Sequence, residues 1–307
     1  MDLRILRMRA EFQESQLLRE VQIMRKLHHP FIIRLHEVIF KEDFLFLIME
    51  LIIGMDLLDT IVGKGGFDEL GAKFVFYQLC SALKYVHEQG ILHRDVKPEN
   101  ILLGGPSRKF SFGQVENVEC VPIKITLVDF GLSKLQISGE ANSFVGTSRY
   151  LAPEVISVGE EEKRRQTGGT SLPPSALSMT SSPPHQARLV PSYSTPADCF
   201  AAGISLFVML ANCFPKFEHG IIVFEGKNER AATLSDEVKD LILQLTNPDP
   251  IKRLTMEQSL SHPWLAHARE MVESLIQSET TVAFDELANP SVTAFASSGT
   301  VIYPSTS

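Results

Sequence analysis

Four polar side chains in two short segments could together move a proton and hold a divalent cation. Asp95, Lys97 and Asn100 lie within the segment His93–Asn100, and Asp129 begins the second segment. An aspartate can accept a hydroxyl proton and a lysine can neutralise an anionic oxygen. Carboxylate and amide oxygens are ligands that Mg²⁺ prefers. This combination suits phosphoryl transfer, which needs an aligned nucleophile and neutralised phosphate charge.

Each of these residues alone has a simpler interpretation. Asp95 could be a turn carboxylate, and Asp129 could be a solvated residue at the end of a strand. The order of three motifs along the chain argues against those interpretations. The motifs are His93-Arg94-Asp95-Val96-Lys97-Pro98-Glu99-Asn100, then Asp129-Phe130-Gly131, then Ala152-Pro153-Glu154. Because they match the catalytic-loop, metal-binding and activation-segment motifs of protein kinases, the sequence resembles a protein kinase.

The residues around the motifs narrow this resemblance. Lys97 is typical of Ser/Thr kinases rather than tyrosine kinases. The stretches 86–103, 128–134 and 146–156 are similar to the calcium/calmodulin-dependent kinase group, including forkhead-associated checkpoint kinases. The match extends from about Glu11 to about Ala266. It implies a protein-kinase-like two-lobe fold.

The resemblance also implies roles for individual residues. Asp95 would be the catalytic base, Lys97 would stabilise the transferred phosphoryl group, and Thr147 would brace both. Asn100 and Asp129 would bind Mg²⁺. Glu20 would be the glutamate of the small-lobe helix, and Asp56 would reach the ribose of ATP. The remaining ATP-binding residues would be the gatekeeper Met49, the hinge residues Glu50, Leu51 and Ile52, and Leu102 beneath the adenine.

Other implied roles concern regulation and support. Arg94 would hold a phosphate that an upstream activating kinase places on Ser138, Ser143 or Thr147. Asp198 would anchor the catalytic loop. Two further sets are implied: the stacked spine Met24, Leu35, His93 and Phe130, and the ion pair Glu154–Arg253.

The sequence departs from the family before Glu20. A Gly-rich loop and a Val-Ala-x-Lys strand belong there, but the nineteen preceding residues contain neither glycine nor lysine. Arginines are present, yet a guanidinium does not replace a buried lysine. We therefore expect an incomplete small lobe that lacks the first three strands. Either the chain is an incomplete product of an active kinase gene, or it is a truncated protein that acts by binding.

Local patterns predict the elements that would position these residues. Apolar spacing predicts a helix over Phe12–Leu27, and β-branched and aromatic residues predict a hairpin over Phe31–Phe40 and Phe44–Ile53. Asp68 is expected to cap a helix that runs to Gly90. Further predictions are a turn at 63–66, strands at Ile101–Leu103 and Ile123–Val128, a buried helix over Ala197–Phe214, an amphipathic helix over Ser235–Leu245, and a capping box at Thr255–Gln258.

Strands followed by helices indicate an α+β fold with a mainly helical large lobe. We predict a small-lobe remnant at 1–53, a large lobe at 54–268 and a flexible tail at 269–307. Within the large lobe, residues 157–196 are rich in charge, Ser, Thr, Pro and Gly, which predicts a disordered insert.

Composition limits the partners and the compartment. A formal net charge of −8 argues against a nucleic-acid-binding surface and a polybasic membrane patch. The apolar run Phe200–Leu210 is too short to span a bilayer. Four cysteines without a CxxC pair fit a reducing compartment. We expect a cytoplasmic protein, with the nucleus as the alternative, that acts on protein substrates with ATP and Mg²⁺.

Two functions therefore stay open. The first is a Ser/Thr protein kinase that transfers the γ-phosphoryl group of Mg-ATP to protein Ser/Thr hydroxyls. The alternative is a truncated pseudokinase or regulatory fragment that binds a protein without turnover.

Overall fold

The small-lobe part of the chain is a hairpin beside a few helical residues. The structure is a computed structural model that describes residues 21, 24–105, 124–130, 148–157, 194–226 and 228–273. Of the helix predicted over Phe12–Leu27, Val21 and residues 24–26 are described as helical, whereas Leu27 is described as non-helical, so the helix ends one residue earlier than predicted. The strands β1 (Leu35–Lys41) and β2 (Phe44–Met49) pair antiparallel. The predicted hairpin is confirmed, but β1 begins later and β2 ends earlier than predicted, and β1 extends to Lys41.

The residues before β1 connect the two lobes. Ile33 N–H donates to Leu127 O at 3.0 Å, and Leu127 N–H donates to Phe31 O at 2.8 Å. Residues 31–33 therefore pair with the large lobe, which explains why the hairpin strand begins at Leu35 and not at Phe31. This pairing ties the small lobe to the strand that precedes Asp129.

A three-stranded antiparallel sheet carries the catalytic segments. Its strands are β3 (Ile53–Asp56), β4 (Ile101–Gly105) and β5 (Ile125–Leu127), with β4 in the centre. Ile53 therefore begins a new strand and does not end the hairpin, which corrects our prediction. The predicted strand at Ile101–Leu103 is confirmed, and the one at Ile123–Val128 is shorter than predicted. Because Asn100 precedes β4 and Asp129 follows β5, the sheet brings the two motifs together.

Two helices follow the hinge. Helix α1 (Leu57–Lys64) is capped by Asp56 at its start and ends at Gly65, whose φ of 75° suits glycine. Residues 63 and 64 are therefore helical, which corrects the predicted turn at 63–66. Helix α2 (Glu69–Glu88) is capped by Asp68, whose carboxylate accepts from Gly71 N, as predicted.

A buried helix forms the centre of the large lobe. Every residue from Ala197 to Ala211 in α3 (Thr195–Ala211) is buried, as the all-round apolar pattern predicts. The chain continues through a second hairpin and short helices. These are β6 (Lys216–Glu218), β7 (Ile221–Val223), α4 (Glu229–Ala232), α5 (Asp236–Leu245) and α6 (Met256–Leu260). The capping box at Thr255–Gln258 is confirmed.

The boundaries of the predicted insert and of the predicted tail differ from the structure. Ser157 is helical, and residues 195–196 begin α3, so both ends of the predicted disordered insert are ordered. Residues 269–273, which we assigned to the flexible tail, are helical, and Val272 is 1% exposed. In the tail, burial of Val272 explains the difference, because burying an apolar side chain offsets the entropy lost on ordering.

Candidate active site

Asp198 in the first turn of α3 binds the backbone of the catalytic loop. Its carboxylate is fully buried and accepts 2.9 Å hydrogen bonds from the backbone N–H groups of His93 and Arg94. His87 Nε2 lies 2.9 Å from Asp198 Oδ2 and adds a third partner. These contacts offset the desolvation of the buried charge and fix the backbone of the loop.

His93 links the catalytic loop to the strand that leads to Asp129. Its Nε2 lies 3.0 Å from Val128 O, and its Nδ1 accepts from Asp95 N at 3.3 Å. This pattern assigns the proton to Nε2. Burial lowers the pKa of His93, which favours the neutral ring. The ring also contacts Phe130, with centroids 4.8 Å apart.

The Asp95 carboxylate is oriented by its neighbours. Lys97 Nζ donates to Asp95 Oδ2 at 2.7 Å, and Asn100 Nδ2 donates to the same oxygen at 2.9 Å. Asn100 Nδ2 also donates to the backbone oxygen of Asp95 at 2.8 Å. Asp95 Oδ1 has no hydrogen-bond partner among the residues that the structure describes. One oxygen is therefore held, and the other is available to a substrate.

Asp129 lies in the same cleft, and its charge is disfavoured there. Burial raises the pKa of the Asp129 carboxyl, and the nearby Asp95 carboxylate raises it further, whereas Lys97 opposes the shift. Its φ of 65° is an unusual backbone conformation for a non-glycine residue. Two carboxylates that destabilise each other in a half-buried cleft form an environment that a cation would stabilise.

The side chains in this cleft fit a magnesium ion that takes some of its ligands from the protein and the others from a phosphate. Both amide hydrogens of Asn100 go to Asp95, so Asn100 Oδ1 remains as a hard oxygen ligand beside Asp129. In the described ranges, no group of three or more His, Cys, Asp or Glu residues could hold a metal alone. Mg²⁺ at nucleotide sites commonly takes one or two carboxylates together with phosphate and water.

The predicted nucleotide-binding residues lie along the segment between the lobes. Met49 ends β2 and is 45% exposed, and Leu51 is 77% exposed. Glu50 N donates to Arg34 O at 2.9 Å, and Ile52 is partly buried against the core. Leu102 lies in the central strand β4, directly opposite Asp56.

Asp56 has a structural contact in addition to its predicted role. Its Oδ1 accepts from Asp59 N at 2.8 Å and caps α1. The other carboxylate oxygen, Oδ2, is not used by the cap. The cap therefore fixes the position of Asp56 at the mouth of the cleft.

Four predicted site residues lie outside the described residues: Glu20, Thr147, Ser138 and Ser143. The four predicted spine residues are all buried, and they are Met24, Leu35, His93 and Phe130. Their side chains lie in both lobes, and the His93–Phe130 contact joins the catalytic and metal-binding segments.

Two arginines complete the surroundings of the site. Arg94 has a positive φ of 69°, and its buried Nε has no hydrogen-bond partner among the described residues. Such a buried guanidinium nitrogen fits an anion. Arg253 forms the predicted pair with Glu154, with N–O distances of 2.6 and 3.0 Å, and its side chain is 0% exposed.

Sequence reasoning missed two features of this region. It did not identify His87 as a partner of Asp198, although its position six residues before His93 was visible. It also did not identify the contact of Tyr150 with Phe214, whose ring centroids lie 5.2 Å apart. No local pattern predicts that contact, because the two residues are distant in sequence.

Comparisons with known proteins agree with this geometry. The family model for the protein kinase domain matches residues 4–170. The calcium/calmodulin-dependent protein kinase type II alpha chain of Drosophila melanogaster is 29% identical over 285 residues, covering 89% of this chain and 44% of that protein. The type II subunit delta of Oryctolagus cuniculus is 30% identical over 281 residues, covering 87% and 44%.

A type 1 calcium/calmodulin-dependent kinase of Macrobrachium nipponense is 30% identical over 274 residues, covering 86% of this chain and 66% of that protein. The chain thus spans between 44% and 66% of the length of these curated relatives. A crystal structure of the Rad53 kinase domain and SCD2 superposes with a TM-score of 0.52 and 25% identity, covering 83% of this chain and 78% of that one. The predicted resemblance and the kinase fold are confirmed, and the chain belongs to the protein kinase family.

Proposed function

We propose that this chain is a Ser/Thr protein kinase that transfers the γ-phosphoryl group of Mg-ATP to hydroxyls of protein substrates. Asp95 is the base, Lys97 is the cation beside the transferred group, and Asn100 and Asp129 are the metal ligands. The observation that carries the proposal is the arrangement around Asp95. Lys97 and Asn100 hold its Oδ2, while its Oδ1 is left without a partner among the described residues.

The residues of the chain have separate tasks in this reaction. Asp95 Oδ1 accepts the hydrogen of the substrate hydroxyl and so aims its oxygen. Lys97 lies beside Asp95 and places a positive charge next to the negatively charged phosphoryl group during its transfer. Asn100 Oδ1 and the Asp129 carboxylate would hold Mg²⁺, which would neutralise phosphate charge, and ATP would supply the phosphoryl group with ADP as the leaving group. The hinge residues Met49 to Ile52 and Leu102 bind the adenine, and Asp56 Oδ2 faces the ribose.

Radiolabelled phosphate transfer tests the proposal. The wild-type chain and the Asp95→Asn variant are incubated with Mg-ATP that carries a labelled γ-phosphate and with a serine peptide. The asparagine keeps the size of the side chain but cannot accept the proton, so we expect a loss of about 10²–10⁴-fold in rate. Asp240→Asn is the control, because that carboxylate is 58% exposed and lies on α5. Equal rates in wild type and Asp95→Asn would exclude the proposed role of Asp95.

A second function is favoured by the surface of the hairpin. Ile39 and Phe46 pair across β1 and β2 and are 39% and 45% exposed, and neighbouring Ile48 is 43% exposed. A contiguous apolar band of this kind is typical of protein-binding surfaces. The second candidate is therefore a pseudokinase or regulatory fragment that acts by binding a protein without turnover. If the chain transfers phosphate to a substrate and Asp129→Ala abolishes that transfer, the chain turns over and this second function is excluded.

The partners and the location follow the same proposal. Protein substrates and an upstream activating kinase are the expected partners, and the cytoplasm, with the nucleus as alternative, is the expected compartment. Of the helices in the described ranges, none has the length and apolarity to cross a bilayer. Fractionation of cells that express the tagged full chain tests the compartment.

A further inference from the structure

We propose that Arg149 is a specificity-determining residue that selects protein substrates with an aspartate or glutamate close to the acceptor hydroxyl. The inference rests on the proposed kinase function and assigns a substrate feature to the same site. Arg149 lies in the 3₁₀ turn Ser148–Tyr150 and is exposed. Four observations on this turn carry the argument.

The turn lies beside the catalytic loop. Asp198 at the start of α3 accepts a hydrogen bond from the catalytic-loop N–H group of Arg94, and Arg253, which binds Glu154 four residues after Tyr150, donates to Pro196 O of the same helix. The catalytic loop also carries the exposed Glu99. Glu99 belongs to the 3₁₀ turn Pro98–Asn100, which contains the proposed metal ligand Asn100. A peptide whose hydroxyl reaches Asp95 therefore passes close to the turn that carries Arg149.

The turn is rigid. The Tyr150 ring is 4% exposed and contacts the Phe214 ring edge-on, with centroids 5.2 Å apart. Glu154, four residues after Tyr150, is fixed by its two hydrogen bonds to the fully buried Arg253 side chain. Arg149 therefore begins from a fixed backbone, which reduces the entropy that binding a ligand would cost.

The Arg149 guanidinium is positioned but not neutralised. Its central carbon lies 4.8 Å from the centroid of the Phe214 ring, and this ring-face contact uses none of its N–H donors. Within the described part of the chain, Arg149 forms neither a hydrogen bond nor an ion pair. A planar guanidinium with unused donors binds a carboxylate through two parallel hydrogen bonds.

The surface that follows Phe214, the residue beneath the Arg149 guanidinium, is partly apolar. Phe214 leads into the β6–β7 hairpin, where Phe217 and Ile221 are 43% and 53% exposed. An extended peptide that lies along this surface would meet these apolar groups, the cation at Arg149 and the exposed Lys216 and Glu218 of β6. The exposed carboxylate of Glu99 in the catalytic loop would bind a basic residue of the same peptide and set its direction.

Peptide kinetics test the inference. A set of serine peptides carries Asp, Ala or Lys at each flanking position in turn, and kcat/KM is measured for the wild type, Arg149→Ala and Arg149→Glu. At one or more positions the wild type should prefer Asp to Lys by about two- to fivefold, the range expected for exposed ion pairs. Arg149→Ala should remove the preference, Arg149→Glu should invert it, and high salt should weaken it. Lys252→Glu, a charge reversal at a side chain 74% exposed, should leave it unchanged.

The outcomes separate this inference from the proposed function. If the wild type phosphorylates the peptides but its preference is the same in all variants, Arg149 does not select the substrate. If no peptide is phosphorylated, the kinase proposal fails, and fluorescence anisotropy of the labelled peptides gives the same comparison as dissociation constants. Equal affinities for the Asp and Lys peptides in wild type and Arg149→Glu would then overturn the role of Arg149.

Discussion

Asp198 Oδ1 accepts a hydrogen bond from the backbone N–H of Arg94 at 2.9 Å, across 104 residues of sequence. The acceptor lies in the most buried helix of the protein, and the donor lies in the loop that carries Asp95. Because Arg94 has a positive φ, its backbone is strained unless its surroundings hold it. The contact therefore fixes the backbone of the catalytic loop to the buried core of the large lobe.

Removing the Asp198 carboxylate should destabilise the fold. Asp198→Ala leaves the N–H groups of His93 and Arg94 buried without a partner, which should lower the free energy of unfolding by about 3 kcal/mol. Urea denaturation measures this change. Glu88→Ala is the control. The Glu88 side chain is 53% exposed, so its pair with Lys84 is worth about 0.5 kcal/mol or less. Equal losses in the two variants would contradict the anchoring role.

The ion pair between Glu154 and Arg253 should be worth far more than a surface pair of the same length. Arg253→Met leaves the Glu154 carboxylate without its partner and should cost about 3–5 kcal/mol. The matched control is Arg269→Met, because Arg269 also lies 2.6 Å from its partner, Glu273, but is 73% exposed. That variant should lose far less stability, because solvent screens an exposed pair. A small loss in Arg253→Met would show that burial does not strengthen the pair.

Partly buried His29 should make the protein less stable in mild acid. Burial lowers its pKa from 6.5 to about 4, so the folded state binds a proton less readily than the unfolded state. Stability should therefore fall as the pH decreases from 6.5 to about 4, and the loss attributable to His29 should level off below that range. His29→Gln should flatten the dependence of unfolding free energy on pH in this window. His28→Gln, at the exposed neighbour, should retain the wild-type slope.

Arg94 should couple phosphorylation to activity. In the part of the chain that the structure describes, its buried Nε has no hydrogen-bond partner, and a phosphate on Ser138, Ser143 or Thr147 is the anion that we propose for it. Phosphorylated wild type should be about tenfold more active than the unmodified chain, and its melting temperature should rise, because a charge-assisted contact forms. In Arg94→Gln both changes should be lost. If phosphorylation still activates and stabilises that variant, the phosphate binds elsewhere.

The sequence predicted best the elements whose signals are local. Asp68 and Thr255 begin helices because their side chains satisfy free backbone N–H groups within the same turn. The all-round apolar composition of α3 likewise identified a buried helix. These signals depend on neighbouring residues, so one sequence contains them completely.

Features that depend on distant pairing were missed. The strand β3 has four residues and exists because Gly54 lies opposite Gly104 in β4. A Cβ atom on Gly54 would lie 1.9 Å from Leu103 O, so this close approach of two backbones requires glycine. The same applies to Tyr150 and Phe214. The joint position of Asp95 and Asp129 was expected only because the motifs resemble those of kinases.

The central claim is that Asp95 and Asp129 act in one shared cleft. Transfer of labelled γ-phosphate to a serine peptide, measured for Asp95→Asn, Asp129→Ala and the double variant, tests this most directly. Residues that act as a unit are non-additive, so each single variant should lose about 10²–10⁴-fold in rate, and the double variant should be no slower than the slower single variant. Retention of the wild-type rate by either single variant, or a double-variant loss equal to the product of the two single losses, would contradict the claim.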